Sequence, residues 1–237
     1  MSKTIIHRAD TRGHANHGWL DTHHTFSFSR YHNPERMNFG LLRVLNDDVV
    51  AGGMGFGAHP HDNMEIVSIP LSGSLAHQDS TGTKEVIRTN EVQIMSAGSG
   101  LTHSEFNGSQ TDAVNFLQIW VFPKEQNIQP RYEQKAFDPE ERVNKLQTVV
   151  SPDKDGKAVW INQDAWFTLG NLQSGFTENY TLHKSGNGVY AFVLEGEVVI
   201  EGETLGKRDG MGISETDSIS IKASAAAELL LIEVPMK

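Results

Sequence analysis

Residues 53–73, GMGFGAHPHDNMEIVSIPLSG, decide the fold of this chain. The stretch begins with glycines, places His59 and His61 two positions apart, and continues into a largely apolar segment from Glu65 to the turn residue Gly73. Short apolar runs bounded by glycine are typical of β-strands. Because alternate side chains of a strand point to one face, His59 and His61 can bind one ion together.

A second pair of this kind follows at His103 and Glu105, at the end of MSAGSGLTHSE, residues 95–105. On a facing strand, it would complete a set of three imidazoles and one carboxylate. That set suits Fe(II), Mn, Ni, Cu or Zn, whereas calcium and magnesium prefer oxygen ligands. The chain has no cysteine and 11 histidines, so a transition-metal site would have to use histidine together with carboxylates.

The rest of the chain predicts an all-β protein. Short apolar segments recur between glycine-rich or polar turns, and residues 46–48 (Asn-Asp-Asp) have the composition of a hairpin turn. The one helical signal starts at Asp138, whose carboxylate can cap a helix that has Pro139 in its first turn and extends over 142–146. We expect few and short helices.

Two sequence echoes predict a duplicated barrel. Residues 71–75 (LSGSL) resemble 194–198 (LEGEV), and residues 117–121 (LQIWV) resemble 230–234 (LLIEV), in the same order along the chain. Strand, turn and strand units of this kind build jelly-roll barrels, which hold ligands in their mouths. We therefore expect a first barrel over 1–133, a linker with the short helix over 134–156, and a second barrel over 157–237.

Only the first predicted barrel carries a metal-ligand pattern. The second has one histidine, His183, and no His-x-His. Counting from the echoed strands, the positions equivalent to the four candidate ligands are occupied by Leu182, Lys184, Thr216 and Ser218. We expect the second barrel to be metal-free.

At these motifs the sequence resembles the cupin superfamily. The first cupin motif matches Gly53, His59, His61, Glu65 and Gly73, with one extra residue before the last glycine. The second motif is altered to residues 96–100 (SAGSG) before His103 and Asn107. That alteration, the N-terminal stretch RGHANHGWLDTHHTFSF (residues 12–28) and PRYEQ (residues 130–134) resemble the pirin family, in particular bacterial two-barrel pirins known as quercetin 2,3-dioxygenases.

The resemblance implies one iron, or a substitute divalent metal, in the N-terminal cupin. Its ligands would be His59, His61, His103 and Glu105. Many cupins use the first-motif glutamate, here Glu65, as the fourth ligand. Pirins use the glutamate two residues after the last histidine, which favours Glu105 and leaves Glu65 as a supporting or structural acid. Fe(II) is the first expectation, with Ni, Mn, Co, Cu and Zn as alternatives.

The resemblance also implies an activity. It is the oxidative ring opening of a flavonol such as quercetin, or of a similar enolisable aromatic, by dioxygen with release of carbon monoxide. Glu105, beside the bound hydroxyl, would take its proton. The alternative is a metal-binding, redox-sensing regulator acting through a protein partner, because the resemblance extends to nuclear pirins that act as transcription cofactors.

Charge and hydropathy restrict the partners. Lysine and arginine total 20 against 30 acids, and a net charge of −10 argues against direct nucleic-acid binding. No apolar run is long enough for a signal peptide or a membrane span. We expect a cytoplasmic monomer.

Other aromatic and histidine side chains are expected in supporting places. Phe56 and Phe106 could line the pocket or pack in the core, His77 is expected at the rim, and Trp120 on the barrel surface or between barrels. Six N-terminal histidines have mixed spacings and are expected to form hydrogen bonds rather than a second metal site. They are His7, His14, His17, His23, His24 and His32.

Overall fold

The computed structural model describes residues 2–237 and confirms the all-β prediction. Strands make up nearly all of the regular structure, and the helical part is limited to two short 3₁₀ turns, Ala9–Thr11 and Pro139–Arg142. The strands form four sheets, two in each half of the chain. Within residues 2–237, no helix has the length and apolar character needed to cross a membrane.

The first barrel is built from two antiparallel sheets. The seven-stranded sheet has the spatial order β12 (Arg131–Ala136), β9 (Glu91–Ser96), β6 (Glu65–Ser72), β11 (Val114–Val121), β4 (Leu42–Val50), β3 (Leu20–His24) and β2 (Gly13–Asn16). The four-stranded sheet has the order β5 (Gly55–His61), β10 (Leu101–Asn107), β7 (Ser74–Asp79) and β8 (Lys84–Arg88). Between the two sheets, in the interior of the first barrel, Leu75, Phe116 and Val50 pack together.

The second barrel repeats this plan. Its seven-stranded sheet has the order β1 (Lys3–His7), β20 (Gly210–Ser214), β17 (Asn187–Glu195), β22 (Ala227–Pro235), β15 (Trp166–Leu172), β13 (Leu146–Ser151) and β14 (Val159–Trp160). Its four-stranded sheet has the order β16 (Thr177–Thr181), β21 (Ser218–Ala223), β18 (Glu197–Ile200) and β19 (Glu203–Gly206). Two packed sheets in each half confirm the predicted pair of cupin barrels.

The two barrels share one apolar core. Leu45, Ile69 and Ile119 of the first large sheet belong to the same buried cluster as Phe192 and Leu230 of the second. Each large sheet therefore has one face toward its own barrel and one toward the other barrel. Burying both faces explains why β11 and β22 are nearly continuous apolar runs rather than alternating ones.

The chain crosses between the barrels at two places that the sequence analysis did not anticipate. The first strand, β1, pairs with β20 and so lies in the sheet of the second barrel, although residues 1–133 were assigned to the first. Within the predicted linker, residues 134–136 finish β12 of the first barrel and residues 146–151 form β13 of the second. The segment between them is therefore shorter than the composition indicated.

The predicted helix in this segment is a single 3₁₀ turn. Asp138 caps it as expected, accepting a hydrogen bond from the backbone N–H of Glu140 at 3.0 Å. The turn ends at Arg142, and Leu146 already pairs with Gly170 in the second sheet. Strand pairing with a large sheet outweighs the weak helix preference of the few residues that follow the cap.

The prediction of a hairpin turn at residues 46–48 was wrong. These residues lie inside β4, between β3 and β11, and all three are buried. Asn46 and Asp48 face the interior of the first barrel, where they line a pocket. Asp47 points the other way and lies 3.2 Å from the Nε of Arg208 in the second barrel. Polar composition resembles a turn, but each of these side chains has a partner that only the folded sheets provide.

Candidate metal centre

The two predicted ligand pairs lie on neighbouring strands of the small sheet. β5 and β10 pair antiparallel, and His59 is directly opposite His103. A register shift follows between His103 and Glu105, so that Glu105 pairs with Phe56 rather than Gly57. Along β10, the odd-numbered residues are buried, which directs both His103 and Glu105 into the barrel. The sheet thus brings the two pairs to one interior site.

The three histidines form a compact cluster. The ring centroids of His59 and His103 are 4.4 Å apart, and that of His61 is 4.9 Å from each of the other two. One nitrogen from each ring can be chosen so that all three lie within 4.8 Å of one another. Such separations allow all three rings to reach one ion at bonds of about 2.0–2.1 Å.

The hydrogen-bonding pattern of these rings fits a metal ion. His59 Nδ1 donates to the carbonyl oxygen of Gly57 at 2.8 Å, which leaves its Nε2 with a lone pair, 3.0 Å from His103 Nε2. His61 Nε2 is buried without a hydrogen-bond partner. Burial lowers the pKa of His61 to about 4 and that of His103 to about 2, so both rings are neutral near pH 7. Neutral imidazoles with inward lone pairs are the state a metal requires.

Glu105 is buried at the base of the same pocket. Its carboxylate accepts hydrogen bonds from Ser68 Oγ at 3.1 Å and from Gln118 Nε2 at 2.8 Å. Burial raises its pKa. A carboxylate oxygen of Glu105 falls within 4.8 Å of ring nitrogens of His103 and His77, but Glu105 is outside the group formed with His59 and His61. Glu105 is therefore in place beside the cluster, closest to its His103 side.

His77 is buried rather than at the rim, which corrects the sequence-based expectation. It lies on β7 directly opposite Glu105 and is 1% exposed. Its Nε2 is 3.0 Å from Asp79 Oδ2, and its ring lies 5.3 Å from that of His103. The sequence signal for a buried His77 was its alternation with Leu75 and Asp79, which are also buried in β7. That alternation shows that the three side chains share a face, but only the pairing of β7 with β10 shows that this face is the buried one.

A pocket of about 380 Å³, including its mouth, opens onto these ligand atoms. Its walls contain the aromatic residues Phe28, Phe56 and Trp120. Trp120 was expected on the barrel surface or between the barrels, but its ring packs edge-on against His61 at 4.9 Å. Phe106 is 41% exposed and lies on the outer side of the small sheet, away from this pocket.

Polar residues that the sequence analysis did not select complete the lining. They are Asn46, Asp48 and Gln118. Asp48 accepts a short hydrogen bond from the Thr22 hydroxyl, and burial raises its pKa to about 7. A second carboxyl group, protonated in part at neutral pH, therefore faces the pocket from the large sheet opposite the histidines.

Glu65, the alternative fourth ligand, lies elsewhere. Its Oε2 accepts hydrogen bonds from Ser96 Oγ at 2.8 Å and from the backbone N–H of Asn162 at 3.1 Å, while its Oε1 is buried without a partner. Burial raises the pKa of Glu65 to about 7. Since Asn162 belongs to the segment between β14 and β15, Glu65 connects the first barrel to the second instead of joining the histidine cluster.

The one histidine of residues 157–237 packs against protein groups. His183 stacks on Trp166 with ring centroids 4.8 Å apart, and its Nδ1 is 2.9 Å from Glu233 Oε2. Tyr180 donates a hydrogen bond to the same carboxylate oxygen at 2.8 Å. The absence of metal from this barrel stays a prediction.

The fold and the histidine pocket define a two-barrel cupin with metal-binding geometry in its first barrel. A family model described as Pirin matches residues 6–121, and one described as the quercetinase C-terminal cupin domain matches residues 148–234. The chain belongs to the pirin family.

Relatives of this chain match it over nearly its whole length. Quercetin 2,3-dioxygenase of Escherichia coli K12 is 44% identical over 236 residues, covering 97% of this chain and 98% of the relative. A pirin-like protein of Caulobacter vibrioides is 40% identical over 225 residues, covering 94% and 96%. The crystal structure of the E. coli bacterial pirin YhhW in complex with nickel(II) superposes with a TM-score of 0.93 at 42% identity, covering 98% of this chain and 99% of that one.

Proposed function

We propose that this protein is a metal-dependent quercetin 2,3-dioxygenase, which opens the ring of a flavonol or a similar enolisable aromatic with release of carbon monoxide. The observation that carries the proposal is the cluster of His59, His61 and His103 at the base of an aromatic pocket. The names of the full-length relatives support the same reaction and favour it over the regulatory alternative.

In this proposal, His59, His61, His103 and Glu105 hold one divalent transition metal, with Fe(II) first and Ni, Mn, Co, Cu or Zn as alternatives. Three neutral imidazoles and one carboxylate leave a divalent ion with a net charge of +1. The bound metal supplies the positive charge that stabilises the deprotonated hydroxyl of the substrate. The nickel complex of the E. coli pirin supports metal binding in this family without indicating which metal this chain uses.

The pocket walls would bind and orient the substrate. Phe28, Phe56 and Trp120 provide apolar ring faces suited to a planar aromatic. Asp48, on the opposite wall, can donate a hydrogen bond to a substrate oxygen when protonated and accept one when ionised. Together these groups hold the ring in one orientation and exclude water.

Glu105 would accept the proton of the substrate hydroxyl. Ser68 and Gln118 both donate to its carboxylate, which fixes the orientation of the two oxygens. Burial raises its pKa and so makes it a stronger base than an exposed glutamate. Glu105 is thus both a candidate ligand and the candidate catalytic base.

The same proposal assigns a role to each barrel and names the partners of the protein. Residues 1–133 would carry the chemistry, and the metal-free barrel of residues 157–237 would shield and support it. The partners would be a small aromatic substrate and dioxygen, without direct nucleic-acid binding, in a cytoplasmic monomer.

The test is anaerobic reconstitution with Fe(II), Mn, Ni, Co or Cu, followed by quercetin turnover with detection of oxygen uptake and carbon monoxide release. We expect turnover with at least one metal and one carbon monoxide for each flavonol opened. A protein that binds metal normally but opens no flavonol with any of these metals would overturn the enzyme proposal in favour of the regulatory one.

A further inference from the structure

A second group of metal-ligating side chains lies in the hairpin of β2 and β3, at the edge of the first large sheet and on the face turned away from the pocket. The hairpin register places His14 directly opposite His23, and Asn16 directly opposite Asp21. Because alternate residues of a strand share a face, all four side chains project from the same side of the hairpin. The pocket-side residue Thr22, which donates to Asp48, points the other way. A sheet thus separates this group from the pocket.

The three ligand-type residues are close enough to share one ion. The imidazole rings of His14 and His23 stack with centroids 4.4 Å apart and planes inclined by 18°. Asp21 Oδ1 lies 2.9 Å from His14 Nε2 and 3.7 Å from His23 Nδ1. One ligand atom from each of the three residues lies within 4.8 Å of the others. The side chains are 38–51% exposed, so an ion and its water ligands could enter from solvent.

The carboxylate is held in position by the turn of the hairpin. Asp21 Oδ2 accepts a hydrogen bond from Asn16 Nδ2 at 2.9 Å, and Asn16 Oδ1 in turn accepts one from the backbone N–H of Gly18 at 2.8 Å. This chain of contacts directs Oδ1 toward the two imidazoles. Supporting hydrogen bonds of this kind orient metal ligands and raise affinity.

We propose that His14, Asp21 and His23 form a second site for a divalent transition metal, separate from the barrel cluster. Two imidazoles and one carboxylate, completed by water, suit Zn²⁺, Ni²⁺ or Cu²⁺. The sequence analysis expected hydrogen bonding without a metal for these histidines, since their spacing of nine residues along the chain shows no ligand pattern. The cross-strand register is what brings them together.

The electrostatic surroundings are compatible with a cation. Burial lowers the pKa of His23, which keeps its ring neutral and able to coordinate near pH 7. Two arginines lie nearby, and both contact Asp47, which is directly opposite His23 on β4: Arg12 at 3.5 Å and Arg208 at 3.2 Å. The overall charge of −10 adds a general attraction for cations.

The experiment is a Zn²⁺ titration of metal-free full-length protein by calorimetry, with the double variant His14→Ala/His23→Ala compared with wild type. His32→Ala, at an exposed histidine outside the cluster, is the matched control. We expect the double variant to bind one equivalent fewer than wild type and His32→Ala to bind the same number. Equal stoichiometry in wild type and double variant would overturn the proposal.

A second readout follows the two rings directly. Ni²⁺ or Cu²⁺ added beyond the one equivalent that the barrel cluster can take should broaden the imidazole proton resonances of His14 and His23 while leaving those of His32 sharp. If the His14 and His23 resonances do not respond, the site does not exist. The calorimetric comparison is a difference between matched proteins, so it does not depend on whether the barrel histidines bind metal or whether the protein opens flavonols.

Discussion

The Nε2 atoms of His59 and His103 lie 3.0 Å apart, across directly paired positions of β5 and β10. His59 Nδ1 carries a proton toward the carbonyl of Gly57, so its Nε2 presents a lone pair to His103. A neutral His103 can donate an Nε2 proton to this lone pair; with its proton on Nδ1 instead, the two Nε2 lone pairs can bind one cation together. With the buried Nε2 of His61 beside them, a divalent ion satisfies all three rings at once.

Removal of either facing histidine should therefore empty the barrel site. We expect His59→Ala and His103→Ala each to weaken metal binding by more than about 100-fold, because losing a direct ligand costs more than the 10–100-fold cost of losing a supporting group. Metal content after dialysis against a weak chelator, measured by mass spectrometry, checks this. His32→Ala should retain its metal. If both pocket variants keep one tightly bound equivalent at this site, the ligand assignment is wrong.

Substitution of Glu105 by glutamine should remove the proton-accepting group while leaving the structure of the pocket unchanged. Glu105→Gln keeps the size of the side chain and an oxygen that can accept from Ser68 or Gln118, but it cannot accept a proton. We expect kcat for flavonol opening to fall by about 10²–10⁴-fold at saturating metal. Steady-state rates with metal content measured in the same samples provide the check. Full turnover in a metal-loaded Glu105→Gln protein would exclude the base role.

Glu65 should make stability depend on pH. Its pKa is about 7 in the folded chain against 4.5 as the ordinary value, so between these pH values the folded state keeps a proton that the unfolded chain releases. The contribution of Glu65 to the free energy of unfolding therefore decreases as the pH rises from 4.5 to 7. The total decrease is about 3 kcal/mol.

The matched variant is Glu65→Gln, which can place its amide nitrogen at the partnerless Oε1 position and keep an acceptor for Ser96 and Asn162. We expect the variant to lose less stability than wild type between pH 5 and pH 8 in urea unfolding, and to keep its metal. Parallel pH profiles for the two proteins would show that Glu65 does not hold a proton across this range.

The first strand should stabilise the second barrel. Ile6 packs against the apolar cluster of that barrel, while its neighbour Ile5 is 45% exposed. We expect Ile6→Ala to lower the free energy of unfolding by about 1–2 kcal/mol, a partial loss of the usual cost for a buried isoleucine. Ile5→Ala should stay within about 0.5 kcal/mol of wild type. Thermal melts of the two variants make the comparison, and equal losses would contradict the assignment of β1 to the second barrel.

Features that depend on neighbouring residues were predictable from the sequence. The alternation within His59-Pro60-His61 and His103-Ser104-Glu105 predicts which side chains share a face, and all four side chains line one pocket, with Glu105 outside the group of three histidines. The recurrence of short apolar segments and the two echoes predicted an all-β chain of two barrels, which the four sheets confirm. These signals are local because the period of a strand is a property of its own backbone.

Features that depend on register and packing required the tertiary structure. The burial of His77, the inward position of Asn46 and Asp48, and the contact of Trp120 with His61 all follow from which strands pair and which sheet faces meet. The cross-strand pair of His14 and His23 is of the same kind. Strand pairing between distant segments is decided by the burial of apolar faces across the whole barrel, and no window of sequence contains that information. The sequence alone determined the two-barrel class and the candidate ligands; the sheets decided which other groups face them.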